Sequence, residues 1–160
     1  MALDVTVGGA SSNSYGTHAA FELYRDARGW TDTGTDATDE INLIKATDHL
    51  DRAHAFTGYA ANETQRLKWP RVTSILVDGW SFDSDEIPQD IIDAQFELAY
   101  LIQLGLNPAK TIAGTVKSAG AGPARVEFLG GMAKPRIVAI EGLLRPYLTH
   151  GASQVRAIRG

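Results

Sequence analysis

Residues 88–105 read Pro-Gln-Asp-Ile-Ile-Asp-Ala-Gln-Phe-Glu-Leu-Ala-Tyr-Leu-Ile-Gln-Leu-Gly, and this stretch decides the class of fold. Pro88 suits a first helical position, where its missing N–H costs nothing, and Asp90 sets a carboxylate in the first turn, where the helix dipole favours it. Gly105 closes the run, with Asn107-Pro108 behind it as a stop. Between these signals Ile91, Ile92, Ala94, Phe96, Leu98, Ala99, Leu101, Ile102 and Leu104 nearly surround the helix. A helix apolar almost all round is either central in its own fold or covered by neighbouring subunits as well. Few other helices stand ready to cover it in a chain of 160 residues, so the expectation leans towards subunits.

Upstream, two more helices are predicted. Ser12, Asn13 or Ser14 caps one that runs to about Arg28 and ends at Gly29. Its apolar face is Tyr15, Ala19, Ala20, Leu23 and Ala27, widened by Phe21 and Tyr24, and Trp30 packs back onto it. Thr35 or Asp36 caps the next, which runs to about Phe56 with Gly58 beyond. It carries two stripes, one of Leu43, Ala46, Thr47, Leu50, Ala53 and His54, the other of Ala37, Ile41 and Ile44. Two stripes imply burial on more than one side. Tyr59 to Glu86 has little periodicity. It holds a short helical turn at Thr64–Leu67, a break at Trp69-Pro70, a short strand over Val72–Val77 and a turn at Asp78-Gly79. A loop of that length is usually functional or partner-bound.

Downstream, Thr111–Val116 and Arg125–Leu129 read as strands of a hairpin joined by Lys117–Pro123. Pro135 opens a last helix from Ile137 to about Thr149, in which Pro146 forces a kink or an early end. The chain is therefore expected to be mainly α, a small bundle of about four helices with a β-hairpin and extended arms at both ends. An N-terminal arm or frayed end covers 1–13, the helical domain 14–149 with its hairpin near 111–129, and a basic tail 150–160.

Composition narrows the function. The chain has no cysteine, which excludes a disulfide framework, a thiol nucleophile, an iron–sulfur cluster and a thiolate zinc site. Its apolar runs are too short to span a membrane, and Met1–Ala10 does not read as a signal peptide. A soluble intracellular protein is the expectation. The net charge of −4 conceals an asymmetry. Residues 1–104 hold 7 Lys+Arg against 17 Asp+Glu, a balance of −10; residues 105–160 hold 8 against 2, a balance of +6. Such a chain is a dipolar monomer, packs head to tail with copies of itself, or docks its basic end on an acidic partner or nucleic acid.

Catalytic patterns are missing from the sequence. The histidines are His18, His49, His54 and His150; His49 and His54 are five apart, share no helical face as paired ligands would and sit in no His-Glu-x-x-His pattern, so the four read as ordinary surface or partly buried histidines. Asp83, Asp85 and Glu86 read as caps and dipole partners of the next helix rather than as a calcium loop, which would need its glycine and distal glutamate. Lys117-Ser118 lacks the preceding glycine of a phosphate loop, and no Gly-x-Ser-x-Gly elbow occurs. Basic residues are not interleaved with aromatics, and the three tryptophans read as core or interface anchors rather than base-stacking platforms. No enzyme activity, cofactor or metal is expected.

Three segments carry a resemblance. They are Leu43-Ile44-Lys45-Ala46-Thr47-Asp48-His49-Leu50-Asp51, then Gln65-Arg66-Leu67-Lys68-Trp69-Pro70-Arg71, then Asp78-Gly79 with Asp85-Glu86-Ile87-Pro88 and Ala94-Gln95-Phe96-Glu97-Leu98-Ala99. In this order and spacing the chain resembles the head–tail connector (adaptor) proteins of tailed bacteriophages, a family often labelled DnaT-like and single-stranded-DNA-binding. Tyr15–Trp30, Val126-Glu127-Phe128 and Leu143–Leu148 fit the same pattern, so the resemblance spans nearly the whole chain. It implies a mainly helical structural protein of the virion neck, assembled in the host cytoplasm. Twelve copies would form a ring against the portal protein and a head-closure, stopper or tail-terminator protein, with genomic DNA passing through the channel. It also implies a C-terminal segment that reaches the portal or a neighbouring copy, which Arg145, Arg156 and Arg159 would suit. Trp69, Pro70 and Arg71 combine a stiff elbow with residue types common at interface hot spots. The same three could equally latch a loop inside one chain, with Trp69 filling the core. The label implies the alternative, a single-stranded-DNA-binding replication accessory, whose contact would fall in the basic C-terminal third.

Overall fold

The computed structural model describes residues 2–108, 118–121, 124–127 and 136–149. Its helices are α1 (His18–Ala27), α2 (Asp36–Ala53), α3 (Gln89–Gln103) and α4 (Val138–Leu144), the last followed by a 3-10 turn over Arg145–Tyr147. Two short strands, β1 (Tyr59–Ala60) and β2 (Arg71–Val72), pair antiparallel, and β3 (Ser118–Ala121), β4 (Ala124–Glu127) and β5 (Arg136–Ile137) form an antiparallel sheet in that order. The fold is mainly α with a hairpin, as the sequence predicts.

α3 is the centre of this single chain. It packs against α2 on one side and α4 on another, and Ile91, Ala94, Phe96, Leu98, Ala99 and Leu101 are all buried. The expectation leans towards neighbouring subunits as cover; α2, α4 and the N-terminal segment bury these six within one copy, while Ile92, Ile102 and Leu104 stay half-buried. Residues 2–14 are irregular chain, as their composition implies, yet they are anchored rather than frayed. Asp4 and Asn13 exchange bonds, the Asp4 N–H to Asn13 Oδ1 (2.8 Å) and the Asn13 N–H to the Asp4 carbonyl (2.9 Å). Ser12, Asn13, Ser14 and Tyr15 are buried. Gln95, wholly buried, ties this segment to two helices. Its amide donates to Ser14 Oγ (2.6 Å) and to the Leu43 carbonyl (3.1 Å), and its oxygen accepts from the Gly16 N–H (2.9 Å). Gly16 is needed there, since a Cβ would lie 2.5 Å from the Phe96 ring.

α1 departs from the reading in start and face. Thr17 caps it, with its hydroxyl accepting from the Ala20 N–H, so Ser12–Ser14 are not caps. The stripe Ala19, Ala20, Leu23 and Ala27 faces solvent, and Leu23 is 72% exposed. Phe21 and Arg25 point inward, with Tyr24 half-buried beside them. Of two competing faces, the aromatic one buries more area, with Phe21 and Tyr24 tilted against Phe96 (5.6 and 5.3 Å between centroids). Trp30 folds back as expected, edge-on to Tyr24 and stacked on Tyr100 at 4.2 Å.

α2 opens on a capping box between Thr35 and Thr38 and ends at Ala53, three residues before the predicted Phe56. Leu43, Ala46, Thr47 and Leu50 of the first stripe are buried, though Ala53 at its end is exposed; of the second stripe Ala37 and Ile41 are exposed and Ile44 is half-buried, so the first stripe carries most of the packing. Phe56 leaves the helix to bridge Leu148. α3 has no side-chain cap, which corrects the role given to Asp83, Asp85 and Glu86. Pro146 ends α4 early, as its missing N–H requires. In the hairpin, Ser118 pairs with Glu127 and Ala121 with Ala124. The first strand thus occupies residues assigned to the turn, and Thr111–Val116 lie outside the described residues. Thr64–Leu67 forms a turn rather than helix, and Val72–Val77 is strand only at its first residue. The Asp78-Gly79 turn is present, with φ of 53° and 86°.

Candidate functional site

The element with the most specific sequence, Gln65–Arg71, is built as a clasp. Gln65 accepts from the Asn62 N–H (2.8 Å) and donates to the carbonyls of Leu67 (2.7 Å) and Pro70 (3.0 Å). Arg71 donates to four carbonyls, those of Thr57 (2.8 Å), Lys68 (3.1 Å), Phe56 (3.4 Å) and Gly58 (2.6 Å). Gly58 sits at φ +75°, and a Cβ there would come 2.1 Å from the Val72 carbonyl. Asp51 of α2 accepts from the Lys68 N–H (3.0 Å) and from the Tyr15 hydroxyl, and Lys68 Nζ reaches the His54 carbonyl (2.9 Å). Burial pushes the Asp51 carboxyl above its usual value, against the pull of these donors. Burial, with the Asp51 charge behind it, raises the Tyr15 phenol well above its own.

Inside this clasp Trp69 is 1% exposed and Pro70 is buried. The indole is ringed by Phe56 (5.7 Å), Phe82 (6.2 Å) and Tyr147 (5.7 Å). Of the two roles open to Trp69-Pro70-Arg71, this placement is the intramolecular latch. A side chain with no surface offers none to a neighbouring copy, and Arg71 spends its donors on backbone of its own chain.

A second polar centre joins α1 to α2, and sequence reasoning missed it. Arg25 and Asp39 are both nearly fully buried, with NH1 donating to Asp39 Oδ2 at 2.9 Å, while NH2 meets Asp32 at 3.0 Å. His18 Nε2 lies 3.6 Å from the same Asp39 oxygen. The signal was there in an arginine seven residues ahead of Asp32 and fourteen ahead of Asp39, but only the packing of α1 on α2 makes them partners. Nearby, ligand atoms of His18, Glu22 and Asp36 gather within 4.8 Å. The Arg25 guanidinium stands 4.0 Å from Glu22, a fixed cation beside any metal these groups would hold. They read as the outer part of an ion-pair cluster. His49 and His54, which share no helical face, do bring their rings to 6.2 Å, because α2 has ended before His54.

The exposed surface is acidic. Among residues 2–108, Arg25, Arg28, Arg52, Lys68 and Arg71 are engaged with acids, a tyrosine ring or carbonyls of the same chain. Exposed acids include Asp26, Asp32, Asp36, Glu63, Asp78, Asp83, Asp85 and Glu86. Two aromatics stand out, Tyr59 at 66% and Trp80 at 79% exposure. Trp80 rides the Asp78-Gly79 turn, held by reciprocal backbone bonds with Val77 (3.0 Å each). Arg145 is exposed on the 3-10 turn, and Arg156 and Arg159 lie outside the described residues. Among the described residues no nucleophile, base and oxyanion donors come together, and no helix is long and apolar enough to cross a membrane.

Compared with known proteins, residues 1–160 match the sequence profile of the family described as "Putative DnaT-like ssDNA binding protein". Comparisons with curated proteins and with solved structures give no match. A profile matched from the first residue to the last leaves no part of the chain outside it, and the protein therefore belongs to this DnaT-like family.

Proposed function

We propose that the protein is a non-catalytic, single-stranded-DNA-binding accessory whose contact with the strand is made by its basic C-terminal third. The whole-chain match to the DnaT-like family carries this reading. The charge distribution supports this placement of the contact. Residues 105–160 hold the +6 balance, whereas the helical body is acidic and most of its cations are spent internally. Lys110, Lys117, Lys134, Arg145, Arg156 and Arg159 are the cations best suited to phosphates. Fluorescence anisotropy of a labelled oligonucleotide across a salt series tests this. Affinity should fall steeply with salt, and Arg156→Glu with Arg159→Glu should flatten the slope by about 1.4, roughly 0.7 for each phosphate no longer neutralised. Absence of binding at low salt would refute it.

A second reading, the virion connector, is favoured by one observation of its own. The body exposes acids and ties up four of its five arginines, so a ring of such bodies would let phosphates pass without gripping them strongly. With the motif resemblance it supports a reading in which a ring of copies would sit in the virion neck between the portal and head-closure or tail proteins, after assembly in the host cytoplasm. Arg145, Arg156 and Arg159 would then reach the portal or a neighbouring copy. Quantitative mass spectrometry of purified particles separates the two readings. A copy number equal to the portal's supports the connector, and absence from particles leaves the single-strand reading alone.

A further inference from the structure

The loop 76–86 holds four acids, Asp78, Asp83, Asp85 and Glu86, all exposed, and no lysine or arginine. It is well anchored. Val77, Phe82 and Ile87 pack against the core, and Phe82 lies 5.7 Å from the Tyr147 ring. From that base the loop holds out Trp80 and Leu76, at 79% and 64% exposure. A large exposed indole on a tight turn, in a loop that also carries four exposed carboxylates, suits a cation with apolar neighbours, by ring–guanidinium stacking and ion pairing together.

We propose that the occupant is the chain's own C-terminal tail, residues 150–160. Its sequence, His-Gly-Ala-Ser-Gln-Val-Arg-Ala-Ile-Arg-Gly, carries Arg156 and Arg159 interleaved with Val155 and Ile158, and no acid. Its point of departure is fixed. The Thr149 N–H donates to the Ala55 carbonyl at 2.9 Å, two residues beyond the Tyr147 ring that touches Phe82. Trp80 is likewise two residues from Phe82. Eleven residues span up to about 36 Å, so the tail reaches Trp80 with length to spare. A tether this short gives an effective concentration in the mM range, about what weak cation–π and ion pairs need. Arg156 and Arg159 then sit on Trp80 and its carboxylates until a stronger partner takes either surface. The inference holds under both functional readings.

The test is the indole Nε1–H spectrum of the 15N-labelled full chain, with the Trp80 peak assigned through Trp80→Phe. In Arg156→Glu/Arg159→Glu, and separately in Asp83→Asn/Asp85→Asn, the Trp80 peak should shift while those of Trp30 and Trp69 stay in place. The Trp80 position in the unaltered chain should not change over a tenfold dilution. A Trp80 peak indifferent to both double variants overturns the proposal. A shift that disappears on dilution also overturns it, since the occupant would then be a second copy.

Discussion

Trp69 and Trp80 stand eleven residues apart in one loop and meet opposite fates. Trp69 is enclosed by three aromatic rings, with its loop held by Asp51, Gln65 and Arg71. Trp80 has a two-residue turn beneath it, in a loop with four exposed carboxylates. The difference teaches that a distinctive motif need not be a contact site. Trp-Pro-Arg is the most recognisable sequence in the chain, and the fold uses it as architecture. The tryptophan without a motif is the exposed one.

Urea denaturation puts numbers on the contrast. Trp69→Ala removes the indole from a closed aromatic core and should cost about 3–5 kcal/mol; a loss under 1 kcal/mol would break the latch reading. Asp39→Ala comes next, at about 3 kcal/mol, because it leaves a buried guanidinium with only Asp32 and, at 4.0 Å, Glu22, both on its outer side. Gln65→Ala should cost about 1–2 kcal/mol, since it frees two carbonyls and one N–H of the clasp. Trp80→Ala should cost no more than about 1 kcal/mol, the size of an exposed cation–π contact with the tail arginines. A larger loss there would mean that Trp80 is packed more firmly than a weak tail contact allows.

The smallest expected effect concerns pH. The Asp51 carboxyl titrates above 3.8 in the folded chain, so the folded state holds that proton more tightly than the unfolded state. Its contribution to stability is therefore greatest at low pH and declines as pH rises from the ordinary value through the raised one. The stability difference between the unaltered chain and Asp51→Asn should shrink from about pH 4 to about pH 7. A difference that grows over that range would show that the donors Tyr15 and Lys68 outweigh the burial of the carboxylate.

Much of this was legible in residues 88–105. Their near-continuous apolar surface, with Pro88 before and Gly105 after, declares a buried helix whatever surrounds it. Thr35, Asp78-Gly79 and Pro146 were equally readable, because capping, turn geometry and a missing N–H are local chemistry. The inward face of α1 was not. Ala19, Ala20, Leu23 and Ala27 recur at helical spacing as well as Phe21, Tyr24 and Arg25 do, and one charged residue argued against the second set. Only the buried Asp39, brought in by α2, makes Arg25 an inside residue.

The sequence by itself determined the helices, their stops, the acidic body and the basic end, because propensity, capping and charge act over a few residues. The tertiary structure alone decided that α3 is covered within one chain, that Trp69 is inside and Trp80 outside, and that Gln95 and Arg25 have partners. Those outcomes depend on groups up to 81 residues apart, as between Ser14 and Gln95. A buried polar group is tolerated only when such a distant partner arrives.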